Sequence, residues 1–460
     1  REMHDVVNPF DLSTIGSVPT ADWDTVDSFL ARAKELSEDR TAWMKTHERA
    51  AILKKAAAIM EDRFEHLSMQ VAAEGGKPLI DARVEVARAI NGMELCIEEL
   101  GTLRGTEIPM GNTSAGDGRF AWTSREPIGP VVAVSAFNHP LNLIVHQVAP
   151  AVATGCPVIV KPAGDTPRSA FEFIDILHEA GLPKEWAMAV VTPRDVSSAM
   201  VADPRVAFFS FIGSAGVGWS LRSQLAPGTR CALEHGGVAP VIVDASADLD
   251  KAVPSLVKGG FYHSGQVCVS VQRVFAHASI IDDLAARMVP AVKALKVGNA
   301  IHEDTECGPL IRPKECDRVA QWVDEAVAGG AQVLCGGEKL SDTTYAPTLL
   351  LNPPADATIS NNEVFGPVVC LYSYDDVDAA ISQANSLDVS FQAAVFTTDL
   401  NAAMHTYRHI NASAVMVNDH TAFRTDWMPF AGLKTSGHGV GGIPYTMHEM
   451  TIEKMIVIKM

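Results

Sequence analysis

The sequence has eight cysteines in 460 residues, but none of them forms a C-x-x-C pair. They are widely spread, so we expect neither a disulfide framework nor a metal site, and reduced thiols favour a cytoplasmic enzyme. No apolar run reaches the ~18 residues needed to cross a bilayer. No signal peptide is visible either, and we expect no membrane partner.

Basic residues are scarce relative to acidic ones. The chain holds 37 Lys and Arg against 55 Asp and Glu, a formal net charge of −18. Nucleic acid and anionic membranes would repel such a chain, so neither is expected as a partner. The global charge excludes no small substrate, because a local pocket can carry the opposite sign.

The chain is rich in alternating helical and β-type patterns. Residues 1–110 show mainly helical periodicity, and residues 111–118 form a turn-rich linker. From residue 129 onward, short apolar runs alternate with helical segments, and the alternation resumes after residue 268. This pattern predicts an α/β fold with two regions in series, each on a mostly parallel sheet covered on both faces. The final run, 451–459, reads as a lone strand that needs an edge, which another subunit could supply.

Two patterns point to a nucleotide. In "VAFFSFIGSAGVG" a strand runs into a glycine-rich turn and a helix, and the N–H groups of a helix start favour a phosphate. The spacing is not G-x-G-x-x-G, so an ordinary strand–helix turn is the alternative. Lys161 ends an apolar strand, where ligands of open α/β sheets bind, and a solvated lysine is its alternative.

Two further residues point to chemistry. Glu234 stands between apolar segments, where burial would raise its pKa and suit it to act as a general base. Its alternative is an exposed loop carboxylate. Cys268 lies in the small, polar stretch "FYHSGQVCVS", which suits a nucleophile better than a core residue. By itself it could equally be one of eight inert cysteines.

Seven motifs occur together in one order. They are "FNHPLN" with Asn138, "KPA" with Lys161, "FIGSAGVG", "EHGG" with Glu234, "GQVC" with Cys268, "EVFGP" with Glu363 and Phe365, and "PFAGLKTSG". Glu234 and Cys268 are 34 residues apart. In motif order and in this spacing, the chain resembles the aldehyde dehydrogenase superfamily over nearly its whole length.

The resemblance implies three structural parts. A Rossmann-like nucleotide-binding domain is expected over 1–111 and 127–235, and a catalytic domain over 236–440. A small β oligomerisation element is expected from 112–126 and 441–460. The resemblance also implies a homodimer or homotetramer.

The resemblance implies oxidation of an aldehyde to an acid with NAD or NADP. Cys268 would be the nucleophile, Asn138 and the Cys268 N–H would hold the oxyanion, and Glu234 would activate the hydrolytic water. Glu363 would hold the nicotinamide ribose, Phe365 would pack beside the ring, and Lys161 would reach the adenosine ribose. The full set of expected cofactor residues is Phe137, Lys161, Gly213, Ser214, Gly218, Glu363 and Phe365.

Four residues bear on specificity. Gly164 stands where many NAD-preferring members carry a glutamate that would repel a 2′-phosphate, so NADP stays open. Arg424 and His139 suggest a small anionic or hydroxylated aldehyde whose tail they bind. The alternative for Arg424 is pairing with Asp419 or Asp426 in its own loop. Val267 counts against a strongly anionic pocket, because some anion-handling relatives have arginine there.

Two other functions are weighed against this one. A coenzyme A-acylating member resembles this chain but often lacks the glutamate at position 234. A catalytically idle binding or structural member would have no physical need for Asn138, Glu234, Cys268 and Glu363 together.

Overall fold

The computed structural model describes residues 2–460. Its helices are α1 Trp23–Glu38, α2 Thr46–Asp62, α3 Phe64–Gly75, α4 Leu79–Glu99, α5 Asn142–Thr154, α6 Arg168–Glu179, α7 Arg194–Ala202, α8 Ala215–Arg222, α9 Leu249–Phe261, α10 Ile281–Lys293, α11 Pro313–Ala328, α12 Thr358–Asn361, α13 Val377–Ala384, α14 Leu400–His409 and α15 Ile443–Glu449. Across residues 2–460, no helix combines the length and apolar character that a bilayer-crossing segment needs.

The strands of the first half are β1 Met3–Val7, β2 Thr14–Pro19, β3 Glu107–Ile108, β4 Arg119–Pro127, β5 Val131–Val134, β6 Val158–Lys161, β7 Ala187–Ala189, β8 Phe208–Ile212 and β9 Arg230–Glu234. Those of the second half are β10 Pro240–Val243, β11 Arg273–His277, β12 Gln332–Cys335, β13 Thr348–Leu351, β14 Val368–Tyr374, β15 Val389–Ser390, β16 Gln392–Phe396, β17 Ala414–Val417, β18 Leu433–Lys434, β19 Gly437–His438 and β20 Thr451–Lys459.

The first large sheet has six strands in the order β19-β9-β8-β5-β6-β7, parallel except for the β19–β9 pair. Alternate residues of β6 point to opposite faces of the sheet. Val158 and Val160 pack into the core under α2 to α6, whereas Ile159 packs into the core under α1 and α7. Burial on both faces explains the nearly continuous apolar runs of these strands, and it confirms the predicted parallel sheet.

The second large sheet has seven strands in the order β12-β13-β14-β11-β10-β16-β17, parallel except for β12–β13. Here too the faces alternate, since Val241 and Val243 join one core and Ile242 joins the other. The two sheets bear out the expectation of an α/β fold with two regions in series.

The last strand, β20, already pairs with a strand of the same chain. β20 pairs antiparallel with β4 along its whole length, in a three-stranded sheet of order β20-β4-β3. The sequence suggested an edge in another subunit, and that suggestion is corrected: the edge comes from residues 119–127 of the same chain. β20 still forms one side of the small sheet and carries exposed Ile456 and Ile458. The role of this sheet in a dimer or tetramer stays a prediction.

Candidate functional site

Four of the predicted residues follow neighbouring parallel strands. The order β9-β8-β5-β6 places the carboxyl ends of these strands side by side. Lys161 ends β6, Glu234 ends β9, Ser214 caps the helix after β8, and Asn138 lies four residues beyond β5. Ligands of α/β sheets bind at this edge, so the topology alone brings these side chains to one place.

Cys268 reaches the same edge from the second half of the chain, in the connection between α9 and β11. Just before it, His263 (φ 50°), Ser264 (φ 53°) and Gly265 (φ 72°) are consecutive left-handed residues. A side chain on Gly265 would overlap the carbonyl of Gly366, so glycine is required there. Strained backbone of this kind costs about 1–3 kcal/mol per non-glycine residue and clusters at functional sites.

A cavity of about 330 Å³, here the Cys268 cavity, lies where the two halves meet. Its lining is Ala136, Phe137, Asn138, Ile212, Gly213, Ser214, Gly236, Gln266, Cys268, Glu315, Arg318, Trp322, Glu363 and Phe365. The rings of Phe137 and Phe365 meet edge to face, with centroids 5.8 Å apart. The lining of this cavity therefore includes Cys268 and Asn138, which we expect to bind the acyl group, and the aromatic pair, which we expect to contact the nicotinamide ring.

Two polar groups of this cavity lack partners within the described chain. Asn138 is 1% exposed, yet neither its amide nitrogen nor its amide oxygen has a hydrogen-bond partner among residues 2–460. Glu363 Oε2 is likewise buried and unpartnered within those residues. Buried polar atoms are normally satisfied, so both groups are suited to a polar ligand.

Burial sets the protonation of the cavity. It raises the pKa of Glu363 to about 8, against opposing contributions from the Gly237 N–H and Arg318. Burial also raises the pKa of Glu234, and the Arg424 guanidinium opposes this. The pKa of Cys268 is raised above its usual value by burial and by the two carboxyl groups, while Arg424 favours the thiolate.

A second cavity of about 650 Å³, here the Lys161 cavity, adjoins the first. It is lined by Val134, Lys161, Thr192, Arg194, Ser197, Ser198, Val201, Ser214, Gly216, Val217, Ser220, Leu221 and Gln224. Ser214 lines both cavities, so together they form one extended groove. Its hydroxyl groups and two cations suit a ribose and a phosphate.

Arg424 lies beside the catalytic candidates. Its side chain is 10% exposed, and its Nη1 is 3.9 Å from Glu234 Oε1. The guanidinium stacks over the Phe430 ring at 3.6 Å, and its Nε has no partner among residues 2–460. Among those residues, Glu234 is thus the only ion-pair neighbour of Arg424, and its distance of 3.9 Å leaves most N–H donors of the guanidinium free.

The two aspartates considered as partners of Arg424 are engaged elsewhere. Asp426 accepts from Arg88 at 3.0 Å, from Asn142 at 3.1 Å and from His146 at 2.7 Å. Asp419 accepts from Ser255 at 3.4 Å. The Asp426 contacts fasten the loop that carries Arg424 to α4 and α5. The sequence had not suggested this anchoring role for Asp426, because its partners are ~280 to ~340 residues away along the chain.

His139 faces a buried ion pair. Its Nδ1 is 2.5 Å from Lys77 Nζ and 3.6 Å from a Glu85 oxygen. Burial and the Lys77 charge lower the pKa of His139 to about 4. The imidazole is therefore neutral near pH 7 and offers a hydrogen bond rather than a positive charge.

The glycines of the nucleotide motif differ in position. Gly213 lines the Cys268 cavity, and its N–H donates to the Glu234 carbonyl at 3.1 Å. Gly218 is buried in α8, where a side chain would overlap the His235 ring. Gly218 lines neither cavity and lets α8 pack against His235, and its role in cofactor binding stays a prediction.

The cavity also holds residues that the sequence did not reveal. α11 contributes Arg318, whose guanidinium lies 4.8 Å from the Trp322 ring centroid. Arg194 lines the other cavity from the first turn of α7. The i, i+4 spacing of Arg318 and Trp322 is a local signal of contact, but nothing local indicates that the pair faces Cys268.

Comparison with known proteins gives the class. The sequence matches the model of the aldehyde dehydrogenase family over residues 1–456. It is 36% identical to a 3-sulfolactaldehyde dehydrogenase of Priestia aryabhattai, over 100% of this chain and 95% of that protein. The chain belongs to the aldehyde dehydrogenase family, and it is an enzyme that uses NAD or NADP.

Solved structures agree. Aldehyde dehydrogenase 21 from Physcomitrella patens, in complex with the reaction product succinate, has a TM-score of 0.96 and 36% identity, covering 100% of this chain and 95% of that chain. The glyceraldehyde-3-phosphate dehydrogenase GapN from Methanocaldococcus jannaschii, complexed with NADP, has a TM-score of 0.94 and 33% identity, covering 100% of both chains.

The groove fits a dinucleotide on its own residues. The unpartnered Glu363 Oε2 can bond a ribose hydroxyl at one end. Lys161 can serve the other ribose, since its side chain has no hydrogen-bond or ion-pair partner in residues 2–460. Between them lies Ser214, the N-cap of α8, where N–H groups favour a pyrophosphate.

Proposed function

We propose that this enzyme oxidises a small aldehyde with an anionic or hydroxylated tail to the free carboxylic acid, with NAD(P)+ and without coenzyme A. The observation that carries the proposal is Arg424, a nearly buried guanidinium with free donors beside Glu234 and Cys268. A buried cation without a close counter-ion is costly, so an anionic ligand would stabilise it.

The first step forms a carbon–sulfur bond. Cys268 releases its proton to solvent, and the thiolate, which the Arg424 guanidinium favours, attacks the aldehyde carbon to give a thiohemiacetal oxyanion. Asn138 Nδ2 and the Cys268 N–H donate to that oxygen. Asn138 suits this role because its amide is buried, unpartnered and needs no reorganisation.

The second step removes hydride, and the bound nicotinamide supplies the acceptor for it. Glu363 orients the ribose, and Phe137 and Phe365 close one side of the cavity, which holds the reacting groups together and excludes water. The oxyanion collapses to a thioester on Cys268.

The third step hydrolyses the thioester. Glu234 takes a proton from water, which attacks the acyl carbon and releases the carboxylic acid and the thiol. The raised pKa of Glu234 makes it a stronger base than an ordinary carboxylate. A glutamate in this place favours hydrolysis over transfer of the acyl group to coenzyme A.

The relatives support an anionic tail. Their names and complexes include a sulfonate, in 3-sulfolactaldehyde, a carboxylate, in succinate, and a phosphate, in glyceraldehyde-3-phosphate. These anions share oxygen acceptors that a guanidinium binds through two N–H groups. His139, being neutral, would add a hydrogen bond to an oxygen of the tail.

The test compares aldehydes that differ in the tail alone. Succinate semialdehyde, a sulfonate-bearing aldehyde and neutral butanal would be assayed with the wild type and Arg424→Ala, following nicotinamide reduction. We expect Arg424→Ala to lower kcat/KM for the anionic aldehydes about 10- to 100-fold more than for butanal, because a charge-assisted hydrogen bond is lost.

The matched control is Arg408→Ala, which removes one exposed arginine of α14. An equal loss for charged and neutral aldehydes in Arg424→Ala would contradict the tail-binding role. Product analysis separates the alternatives: coenzyme A-dependent release of an acyl thioester would contradict hydrolysis. No turnover with any aldehyde would favour a catalytically idle protein.

A further inference from the structure

A buried ion pair lies outside both parts of the groove. Lys77 Nζ is 2.5 Å from Glu85 Oε1, the two side chains are 0% and 1% exposed, and neither lines the cavities described above. Burial opposes ionisation of Glu85, but the Lys77 charge and the His139 ring outweigh it and hold the pKa of Glu85 well below its usual range. Burial opposes the charge of Lys77 too, but the Glu85 carboxylate raises its pKa. Because a buried ion pair adds little net stability, stability alone does not account for it.

The other oxygen of Glu85 closes the start of α5. Glu85 Oε2 accepts from the backbone N–H of Leu141 at 2.9 Å and from that of Asn142 at 3.2 Å. Leu141 is the N-cap of α5, and its apolar side chain cannot accept these bonds. The first N–H groups of a helix have no partner within it and carry partial positive charge, which a carboxylate satisfies. Glu85 therefore fastens the N-terminus of α5 to α4 through charge-assisted hydrogen bonds.

The segment that Glu85 fastens carries Asn138, three residues before Leu141. Neither polar atom of the Asn138 side chain has a hydrogen-bond partner among residues 2–460, so no such bond of its own holds the amide in place. Lys77 Nζ lies 2.5 Å from Nδ1 of the next residue, His139, and an ammonium can only donate, so Nδ1 accepts. The ion pair thus contacts this segment at three residues, and the backbone that it fixes determines where the Asn138 amide lies.

We propose that Glu85, paired with Lys77, is a positioning residue that holds Asn138 where its amide donates to the oxyanion. The inference rests on the proposed function in that it takes Asn138 as the oxyanion donor. Glu85 does not line the Cys268 cavity, so it acts through the backbone of the segment. An oxyanion donor must lie within about 2.7–3.1 Å of the developing charge, so a small shift of the α5 start would slow thiohemiacetal formation.

The test is a double-mutant cycle between the ion pair and Asn138, with butanal as a substrate that has no charged tail. Lys77→Met with Glu85→Leu replaces both charges by apolar side chains, a change that buried ion pairs commonly tolerate. We expect these substitutions to lower kcat/KM about 10- to 100-fold when Asn138 is present, because the N–H groups of α5 lose their acceptor. In the Asn138→Ala background they should change kcat/KM less than about twofold, because the positioned amide is already absent.

Rescue by a closely matched variant separates positioning from packing. Lys77→Met with Glu85→Gln also removes both charges, but it keeps a side-chain oxygen that can accept from the two N–H groups of α5. This variant should recover most of the lost kcat/KM. As a control, Lys34→Met with Glu38→Leu makes the same substitutions at an exposed ion pair of α1 and should leave activity unchanged.

Equal fractional losses with and without Asn138 would overturn the inference, since the ion pair would then support the fold as a whole. No loss in the presence of Asn138 would overturn it as well. Full activity of Asn138→Ala alone is a different failure, because it contradicts the oxyanion role in the proposed function and removes this inference with it.

Calorimetric titration with adenosine 5′-monophosphate checks that each variant is folded, because it reports on a cavity that the substitutions do not touch. Should the apolar pair fail to fold, Glu85→Asp closes the same cycle. Asp keeps both charges of the pair but shortens the reach of the carboxylate, so it should lower kcat/KM with Asn138 present and leave it unchanged in Asn138→Ala. A loss of equal size in both backgrounds would again overturn the inference.

Discussion

The two ends of the groove use charge in opposite ways. At the Cys268 end, burial raises the pKa of Glu234 and of Glu363, while Arg424 opposes the first shift and Arg318 opposes the second. At the Lys161 end, the lining has two cations and no carboxylate. Burial at the first end tunes proton affinity, which chemistry needs. Unneutralised positive charge at the second end favours binding of an anion, with no reacting group nearby.

The largest expected effect is a loss of catalysis at the Cys268 end with no change in binding at the Lys161 end. Cys268→Ala should abolish aldehyde oxidation, with a loss of at least about 10⁴-fold in kcat, because no nucleophile remains. Binding of adenosine 2′,5′-bisphosphate should stay within twofold of the wild type, since the Lys161 cavity is untouched. Nicotinamide reduction and calorimetry check the two halves of this prediction.

Cys231→Ala is the matched control, because Cys231 is a half-buried thiol that lines neither part of the groove. Full activity of Cys268→Ala, or its loss in Cys231→Ala, would contradict the assignment of the nucleophile.

A smaller effect is expected from Glu234→Gln, which should separate the two halves of the reaction. Steady-state turnover should fall about 100-fold or more, because general base catalysis is lost in hydrolysis. A burst of reduced cofactor should persist in rapid-mixing experiments, because only hydrolysis is impaired, and a lost burst would contradict this division of the reaction. Unchanged steady-state turnover would refute the general-base role of Glu234.

The third and smallest effect concerns stability. Burial raises the pKa of Glu363 in the folded state to about 8, above its ordinary value of 4.5, so between these values the folded state holds a proton that the unfolded state has lost. Stability from this group is therefore lost as the pH rises through that range, at about 1.4 kcal/mol per pH unit. Glu363→Gln cannot ionise and should gain stability relative to the wild type as the pH rises.

Thermal melts of both proteins from acidic to alkaline pH would check this sign. The exposed Glu94 of α4 provides the control, since Glu94→Gln should keep the wild-type pH dependence. A constant difference between Glu363→Gln and the wild type would show that the carboxyl group is not held protonated.

Much of the fold could be predicted because local and global signals agree. The strands β5, β6, β8 and β10 are apolar runs that the two-sided burial of parallel strands requires. The hairpin of β1 and β2 was missed, because its residues are mostly exposed or half-buried and lack a clear alternation. The break between α2 and α3 at Arg63 was missed too, since the apolar period continues across it.

The candidate site divides in a similar way. Asn138, Glu234 and Cys268 lie in short motifs that could be recognised from the sequence alone. Arg194 and Asp426 could not, because their significance depends on the cavity that Arg194 lines and on distant partners of Asp426. The tail-binding role of His139 stays a prediction, but its neutral ring could not be foreseen, because burial and the charge of the distant Lys77 lower its pKa.

The most direct test of the central claim is mass spectrometry of the Cys268 acyl thioester. Glu234→Gln would be mixed with succinate semialdehyde and NADP+, quenched in acid, and digested for peptide mapping. The account predicts an added succinyl group on the peptide that contains Cys268, and none on that peptide in Cys268→Ala. Oxidation of the aldehyde with no acyl group on Cys268, or with the group on another cysteine, would contradict it.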